Sequence, residues 1–434
     1  MTAVRPRLLP SLPSVAPTLR RQVEADHHRF AREGLPRNLD AYLRDAYKLD
    51  MTASYAGIAL RNPWGKASGQ LTLNLAQLEE AADDGLGFAV LKTVIAQDAS
   101  GRQSMAAWAI KESRMIAEPI TSPTTGAAGW TITWRGRGWW QSFADYQELV
   151  RQGVALGRAR RMPVIPSVKY HLPGEGETAW RVDEYNATTQ ALLQAWTDGG
   201  GCTPMVLEKD FSPTLAGSDL AAQRPIVLDW LRRVPDLIRD AAPGQVRVGL
   251  KLFNTLDDDD FQLAMLAAVH EACRPDFLVY ANRLFDPTRE FEGVRGVAYG
   301  GPDLSDRNLR LLSRLRASQK RGEIGPEPLE VSGTGDISSG RIAVEYALRG
   351  CTSLQIHTLF QLPSEVYAMR RGTKVERALH RLVFDPADGF LIWAFHAGAW
   401  LGLIAQDGSL RFLDLARRGQ ESKLDVGDLD PEAA

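Results

Sequence analysis

Residues 329–358 read LEVSGTGDISSGRIAVEYALRGCTSLQIHT: a β-type run, a glycine loop, a helical-period segment and a second β-type run. A plain surface turn needs one glycine, whereas Gly333 and Gly335 stand one residue apart where the first run ends. Such spacing indicates a backbone that a ligand approaches closely. The N–H groups and dipole of the following helix suit a phosphate. The stretch therefore predicts parallel strands and a phosphate site, with a ligand-free tight turn as the alternative.

The strand–helix order of this stretch repeats along the chain from about Trp64. Segments with apolar residues at helical spacing separate the short β-type runs. Eight such repeats predict a closed (β/α)8 TIM barrel, with an open doubly wound sheet as the alternative. The eight runs are GKASG (65–69), FAVLKTV (88–94), PVIPSVKY (163–170), PMVLEKDF (204–211), VRVGLKL (246–252), FLVYAN (277–282), LEVSGTG (329–335) and SLQIHT (353–358).

The repeats divide the chain into three regions. Residues 1–50 are expected to form an N-terminal helical extension, and residues 51–362 the barrel, with a tryptophan-rich insertion near residues 95–142. Residues 363–434 are expected to form a C-terminal helical extension and tail. The most apolar run, Gly389 to Ile404, is shorter than the roughly 20 residues of a membrane span, so we expect a packed helix and no integral membrane span.

The composition is that of an ordinary globular protein. The chain has 434 residues, 44% of them hydrophobic, and its formal net charge of -2 gives no electrostatic reason to expect a nucleic-acid partner. Cys202, Cys273 and Cys351 form no CxxC pair, so neither a disulfide framework nor a thiolate metal site is expected. We expect a cytoplasmic protein without a metal centre.

Polar residues follow most of the eight predicted strands. Active sites of TIM barrels lie at the carboxyl ends of the strands, and a phosphate site commonly follows strands seven and eight, where the glycine loop falls. Lysines at three strand ends are unusual, because branched apolar side chains normally fill a barrel interior. The strand-end residues are Ser68, Lys92, Lys169, Asp210, Ser212, Lys251, Asn282, Gly333 to Asp336, His357 and Thr358.

Eight blocks occur in the order seen in dihydroorotate dehydrogenases, which the sequence resembles over roughly residues 55–362. It is also similar to the flavin domain of dihydropyrimidine dehydrogenase. This resemblance implies an FMN-binding barrel that moves a hydride between a carbon–carbon bond and flavin N5. The blocks are NPWGKASG, GLGFAVLKTV, VLEKDFSPT, VGLKLF, VYANRLFD, YGG, VSGTGDISSG and LQIHTLF.

The resemblance also assigns roles to residues. Lys92 would lie near flavin and substrate and take part in catalysis. Lys251 would hydrogen-bond the pyrimidine end of the flavin, where a cation stabilises the anionic reduced form. The other residues that the resemblance assigns to the cofactor are Ala67, Ser68, Gly69, Gly300, Gly301, Gly333, Gly335 and Thr358. From their positions at strand ends, Lys169 and His357 are added as cofactor-binding candidates, with a packed histidine as the alternative for His357.

The sequence departs from the family after the fourth predicted strand, where the family has Asn-x-Ser-Cys/Ser-Pro-Asn and this chain has KDFSPT. Aligned on Ser-Pro, Ser212 takes the position of the catalytic base, and Lys209 and Thr214 replace the two substrate-binding asparagines. Aligned on DFS, Asp210 replaces the first asparagine and the base is deleted. We prefer the first alignment because it needs no gap.

Other departures concern the substrate and the phosphate. Asn282 matches a substrate-binding asparagine, but Arg283 stands where the family has Ser or Thr. Asp336 and His357 each replace a glycine. An aspartate beside a phosphate would repel it, unless Asp336 caps the following helix. A family segment is missing, and residues 117–140, with four tryptophans, stand in its region, either as a lid over a planar substrate or as packing.

These observations predict an FMN-dependent oxidoreductase that acts on a CH–CH bond of a planar or anionic small molecule other than dihydroorotate. An ordinary dihydroorotate dehydrogenase remains open. So does a flavin-free aldolase or isomerase that uses Lys92 or Lys251 as a Schiff-base lysine, and so does a scaffold without catalysis. We expect a homodimer, and the electron acceptor stays open.

Overall fold

The computed structural model describes residues 7–111, 115–134, 136–211, 220–256, 258–271, 274–325 and 327–421, without the side chains of residues 220–222. Within these residues, the α-helices are α1 (Pro17–Glu33), α2 (Leu39–Tyr47), α3 (Leu75–Asp83), α4 (Phe143–Arg160), α5 (Val182–Asp198), α6 (Leu220–Ala241), α7 (Asp259–Ala268), α8 (Pro302–Lys320), α9 (Gly340–Ala347), α10 (Lys374–Phe384), α11 (Phe390–Trp400) and α12 (Phe412–Gln420).

The strands fall into one large sheet and four small ones. In chain order they are β1 (Leu49–Asp50), β2 (Ala53–Tyr55), β3 (Ile58–Leu60), β4 (Trp64–Lys66), β5 (Phe88–Val90), β6 (Val94–Ile95), β7 (Ile116–Thr121), β8 (Ala128–Thr133), β9 (Val164–Ile165), β10 (Ser167–Lys169), β11 (Met205–Asp210), β12 (Val246–Lys251), β13 (Phe277–Tyr280), β14 (Leu284–Phe291), β15 (Val294–Tyr299), β16 (Glu330–Thr334), β17 (Cys351–Ile356) and β18 (Leu410–Arg411).

The large sheet is parallel, ten-stranded and curled, with the order β6-β10-β11-β12-β13-β16-β17-β4-β5-β9. Its strands alternate along the chain with helices, so the molecule is a barrel-like α/β fold. The first strand, β4, pairs with β17 through Lys66 and Ile356 and with β5 through Lys66 and Ala89. Parallel pairing brings the carboxyl ends of these strands to one edge of the sheet.

Each of the eight predicted β-type runs contains strand residues, and two of the runs are interrupted. The second run divides into β5 and β6, and the third divides into β9 and β10 on either side of Pro166. Proline has no N–H to donate to a ladder, so a break at Pro166 is expected. The seven helical-period segments between the runs are helices α3 to α9.

Side-chain caps fix where several of these helices begin. The Ser142 and Asp145 pair forms a capping box at the start of α4, in which Asp145 N donates to Ser142 Oγ at 3.1 Å. The same arrangement of Thr373 and Glu376 begins α10. At α7, Asp258 is the N-cap, and its side chain accepts from Phe261 N at 2.8 Å.

Two antiparallel hairpins that the sequence analysis did not predict lie beside the sheet. One consists of β7 and β8, inside the tryptophan-rich insertion, and the other of β14 and β15. The first hairpin packs on the start of α8, since a Cβ on Gly129 would lie 2.5 Å from Pro302 Cδ. A Cβ on Gly301 would lie 2.6 Å from Ile120 Cγ2, so the contact is close on both sides.

The terminal helices pack together on the outside of the helical layer. Helices α1 and α2 occupy the predicted N-terminal extension, and α1 packs against α10 and α11. The imidazole of His380 lies 2.9 Å from the carbonyl of His27. The apolar run from Gly389 contains α11, whose first residues are buried, and the Phe390 ring lies 5.4 Å from that of Trp64. Among the described helices, none combines the length and apolarity needed to cross a bilayer.

Candidate functional site

A cavity of about 760 Å³ opens where the carboxyl ends of the parallel strands meet. This volume falls in the range of roughly 300–1,000 Å³ typical of small-molecule and cofactor sites. The hairpins contribute Trp130 and Phe285 to its wall. The predicted site residues that line it are Ala67, Ser68, Gly69, Lys92, Lys169, Asp210, Lys251, Asn282, Arg283, Gly300, Gly335, His357 and Thr358.

Five predicted site residues are not among the described residues that line the cavity. Ser212 and Thr214 lie outside the described residues. Gly301 is next to Gly300 and Gly333 is next to Thr334, both of which line the cavity, but the two glycines do not line it themselves. Lys209 is buried, donates to the carbonyl of Asp210 at 3.0 Å and lies over the ring of Phe211.

A buried ion pair lies beneath the cavity. Lys251 Nζ is 3.5 Å from Glu208 Oε1 and donates to Gln355 Oε1 at 3.3 Å. The other carboxylate oxygen of Glu208 accepts from Gln355 Nε2 at 2.7 Å and from the hydroxyl of Tyr55 at 2.9 Å. Glu208 has no exposed surface, so these contacts replace its hydration. Lys251 is thereby held at the cavity wall.

A chain of hydroxyl groups leads to the carboxylate of Asp210. Thr93 Oγ1 lies 2.9 Å from Ser68 Oγ, 3.0 Å from Ser167 Oγ and 3.4 Å from Asp210 Oδ2. The other carboxylate oxygen of Asp210 accepts from Asn282 Nδ2 at 3.0 Å. Asp210, Ser68, Thr93 and Asn282 line the cavity together. The arrangement can bind a polar group and can exchange a proton with it.

Burial changes the acid–base properties of two lysines near Asp210. It lowers the pKa of Lys169 to about 8, although the nearby charge of Asp210 opposes the change. The Lys169 ammonium lies 4.2 Å from the ring centroid of Trp108. Burial and the charge of Lys169 lower the pKa of Lys209 to about 7. Lys169 therefore exchanges a proton near neutral pH inside the cavity.

A polar cluster around Trp134 forms another part of the wall. With the Gln70 amide oriented to accept, its oxygen lies 3.2 Å from Lys92 Nζ and 2.5 Å from Trp134 Nε1. Arg283 lies 4.6 Å from the Trp134 ring centroid and donates to Thr131 Oγ1 at 3.1 Å. Enclosure, with the charges of Arg283, Lys92 and Lys251, lowers the pKa of His357 to about 3, so the imidazole is neutral at physiological pH.

The four tryptophans of residues 117–140 divide between the two roles that the sequence left open. Trp130 and Trp134 line the cavity, as a lid would. Trp139 is buried, donates to the carbonyl of Ser142 at 2.9 Å and packs on Tyr146, which is a packing role. Trp140 is one of the exposed large side chains and lies beside Lys111.

Asp336, which was considered as a possible cap of the helix after the glycine loop, does not cap that helix. Ser339 is the N-cap of α9 and accepts from Ile342 N at 3.3 Å, so Asp336 does not fill this position. Asp336 has φ +49°, in the region that favours glycine, and its carboxylate lies 3.1 Å from Ser305 Oγ. Burial raises the pKa of Asp336 to about 7, so its negative charge is partial at neutral pH.

Several residues at the cavity or beneath it were not predicted from the sequence. Thr93 and Gln355 line the cavity and Glu208 lies beneath it, all three inside strands or between strand segments, whereas the predicted residues are at strand ends. Glu208 and Asp210 share one face of β11 because side chains alternate along a strand, and this alternation was the available signal. Trp108 lies in the insertion but outside residues 117–140, and Arg381 lies in a segment without a recognised motif.

The donor set at this cavity fits FMN. Lys251 can face an anionic ring edge, the small residues Ala67 to Gly69 leave room for a flat ring, and Gly335 with φ +106° brings backbone to the glycine-loop end of the cavity. In comparisons with known proteins, no family model matches the chain and no curated protein matches its sequence.

Proposed function

We propose that the protein is an FMN-dependent oxidoreductase that acts on a CH–CH bond of a planar or anionic small molecule. The observation that carries this proposal is the common location of the predicted site residues. Thirteen of them, from separate segments of the chain, line one cavity, and one of the thirteen is Lys251, whose Nζ lies 3.5 Å from the buried carboxylate of Glu208. Independent surface positions would not converge in this way.

We also infer that the parallel sheet closes as a (β/α)8 barrel. β5 pairs with β9 and β6 pairs with β10, so the interrupted second and third runs pair with each other along their length. If each interrupted run is counted as one strand, the sheet has eight strands instead of ten. In that count β4 has the second and the eighth run as its neighbours. This pairing supports a continuous ring of eight strands.

In this function the chain positions and polarises the flavin through its own residues. Ala67, Ser68 and Gly69 would lie along the ring, and Lys251 would donate to its pyrimidine edge. When bound, FMN supplies a two-electron acceptor that takes a hydride from a substrate carbon. The cation of Lys251 favours the reduced, negatively charged form. Trp130 and Trp134 would exclude water from the reacting atoms.

The proton that accompanies hydride transfer needs an acceptor near the substrate. Ser212, the predicted base, lies outside the described residues. Asp210 is a described carboxylate in the cavity, and its contacts with Thr93 and Asn282 suit it to accept a proton at Oδ2. Lys209 points away from the cavity, as strand alternation requires, which supports the alignment on DFS over the alignment on Ser-Pro.

The substrate is expected to carry negative charge. Lys92, Lys169 and Arg137 line the cavity near Asp210, and the cavity has the volume for a ligand beside a cofactor. An anion placed there would interact with several ammonium and guanidinium groups in a water-poor site. The asparagines that the resemblance assigns to orotate are represented by Asn282 alone among the described residues, which argues against dihydroorotate.

One observation favours a second candidate, a flavin-free barrel with a Schiff-base lysine. The pKa of Lys169 is lowered to about 8, and an amine must lose its proton before it attacks a carbonyl. Borohydride reduction in the presence of a carbonyl compound would trap such an adduct on Lys169. Trapping that Lys169→Met abolishes would favour this candidate over the flavin enzyme.

The proposed function is tested by the midpoint potential of bound FMN. In Lys251→Met the cation at the reduced flavin is removed, so the potential should become more negative than in the wild type. Lys92→Met, which changes a lysine at the same cavity, should alter the potential less and impair turnover more. Equal potentials in wild type and Lys251→Met would contradict the assignment of Lys251.

A further inference from the structure

The C-terminal helix α10 reaches the cavity through Arg381. Helix α10 packs against the segment Thr358–Gln361, which directly follows β17, and it also packs against α9. A Cβ on Gly340, the first residue of α9, would overlap the carbonyl oxygen of Leu382. The residue next to Arg381 therefore abuts the start of α9, and Arg381 stands close to the glycine loop and Thr358.

Arg381 is half-buried, and its guanidinium has no carboxylate partner among the residues that the structure describes. Arg377, one turn earlier on the same helix, differs in its hydrogen bonds and in its position. It donates to Ser364 Oγ at 2.9 Å and to the carbonyl of Arg371 at 3.3 Å, and it does not line the cavity. A half-buried cation that faces a cavity is suited to bind an anion there.

The first turn of α9 offers a phosphate few donors. Arg341 N donates to Asp388 O at 2.9 Å, and Ala343 N donates to Ser339 O at 3.1 Å. Ile342 N is capped by the Ser339 side chain. The N–H groups that the sequence suggested for phosphate binding are therefore largely engaged, and Asp336 adds partial negative charge beside them. A phosphate at this loop needs a cationic side chain.

We propose that Arg381 is the cationic ligand of the cofactor's phosphate, so that a helix outside the repeated strand–helix units completes the FMN site. The proposal rests on the proposed function, because FMN supplies the phosphate. A guanidinium can donate two parallel hydrogen bonds to phosphate oxygens, which gives both charge and geometry. The glycine loop and Thr358 would approach the same phosphate from the opposite side.

The test compares FMN with riboflavin, which has the same ring and ribityl chain but no phosphate. Flavin-depleted protein is titrated with each compound, and quenching of flavin fluorescence reports binding. In Arg381→Gln the affinity for FMN should fall roughly tenfold or more, while the affinity for riboflavin stays at the wild-type value. The FMN affinity of Arg381→Lys, which keeps the charge but not the two-pronged guanidinium, should lie between those of the wild type and Arg381→Gln.

Arg377→Gln is the matched control, since it removes an arginine from the same helix without changing the cavity. It should bind both flavins as the wild type does, and circular dichroism should show the same helix content for all variants. Equal FMN affinity in Arg381→Gln and wild type would overturn the proposal. An equal loss for FMN and riboflavin would also overturn it, because Arg381 would then act through structure alone.

If the proposed function is wrong, the flavin titration of the wild type gives a different result from either outcome above. If the wild type binds neither flavin, the FMN assignment is wrong, and inorganic phosphate becomes the probe. Phosphate that raises the unfolding temperature of the wild type but not of Arg381→Gln would keep Arg381 as a phosphate ligand for another phosphate ester. Phosphate without effect on either protein would overturn the Arg381 assignment as well.

Discussion

At the scale of single residues, the pair of Lys251 and Glu208 is the feature that most constrains the site. Both side chains are buried, and the ammonium lies 3.5 Å from the carboxylate. Desolvation makes such a pair expensive, and a well-packed apolar pair would serve stability equally well or better. The proposed function gives a reason for this pair, in which Lys251 faces the cavity and Glu208 is its nearest carboxylate.

Removing one member of this buried pair should lower the free energy of unfolding more than removing one member of an exposed pair does. Glu208→Gln leaves a buried ammonium without its counter-charge, and we expect the free energy of unfolding to fall by about 3 kcal/mol. The control is Glu327→Gln, because Glu327 is 87% exposed in its pair with Arg274 and should contribute less than about 1 kcal/mol. Urea denaturation measures the free energy of unfolding of both variants. Similar losses of this free energy would contradict a special role for the buried pair.

Asp336 provides a pH dependence at the phosphate end. Its pKa is raised to about 7, so the carboxyl group is mostly protonated below pH 7 and ionised above it. The ionised form repels a phosphate, because two negative charges then approach each other away from bulk water. FMN affinity of the wild type should therefore fall, relative to Asp336→Asn, as pH rises through 7. Fluorescence titrations one unit below and one unit above pH 7 measure the ratio, and a constant ratio would contradict this role.

At the scale of elements, α9, α10 and α11 approach one another closely at the start of α9, directly after the glycine loop. Gly340 begins α9, and a Cβ there would overlap the backbone nitrogen of Phe390 as well as the carbonyl of Leu382. These are backbone atoms, which cannot move aside without shifting α10 or α11. The close approach of the three helices thus depends on a single glycine.

Gly340→Ala should destabilise the protein by about 3 kcal/mol, because the added methyl group forces backbone apart. Gly174→Ala is the control, since a Cβ at Gly174 meets no atom within 4 Å and its backbone is not in the left-handed region. Thermal unfolding of the two variants is the measurement. If Gly340→Ala unfolds at the temperature of the wild type, the described packing of α9 on α10 is wrong.

The elements that the sequence predicted are those with strong local patterns. The run VRVGLKL, for example, gives β12, and the segment FADYQELVRQGVALGRARR gives α4. The hairpin of β14 and β15 was missed because its residues read as a loop after the sixth strand. Residues Leu284 to Tyr299 pair only with each other, so their strand structure follows from tertiary position more than from hydrophobic period.

At the scale of the whole molecule, the location of the site was partly predictable from the alternation of strands and helices. Parallel strands bring their carboxyl ends together, and this brought Lys92, Lys169 and Lys251 into one cavity. The contribution of Arg381 was not predictable, because it depends on how α10, which follows the last strand of the large sheet, folds back over that sheet. No local pattern encodes that docking.

The composition of the cavity predicts that dihydroorotate is a poor substrate. Each buried polar group left without a partner costs about 1–3 kcal/mol, and Arg283 and Asp336 replace neutral family residues at this cavity. Anaerobic mixing with dihydroorotate should leave the visible absorbance of the bound flavin unchanged, whereas dithionite should bleach it. Rapid bleaching by dihydroorotate would identify an ordinary dihydroorotate dehydrogenase.

The central claim, that this cavity holds FMN, is tested most directly by the flavin content of the purified protein. The wild type, supplied with FMN and freed of excess by gel filtration, should carry about one FMN per chain that heat denaturation releases, as the volume of this cavity and its donor set imply. Released flavin is identified by chromatography and quantified against protein. A colourless protein that fails to retain added FMN would contradict the account.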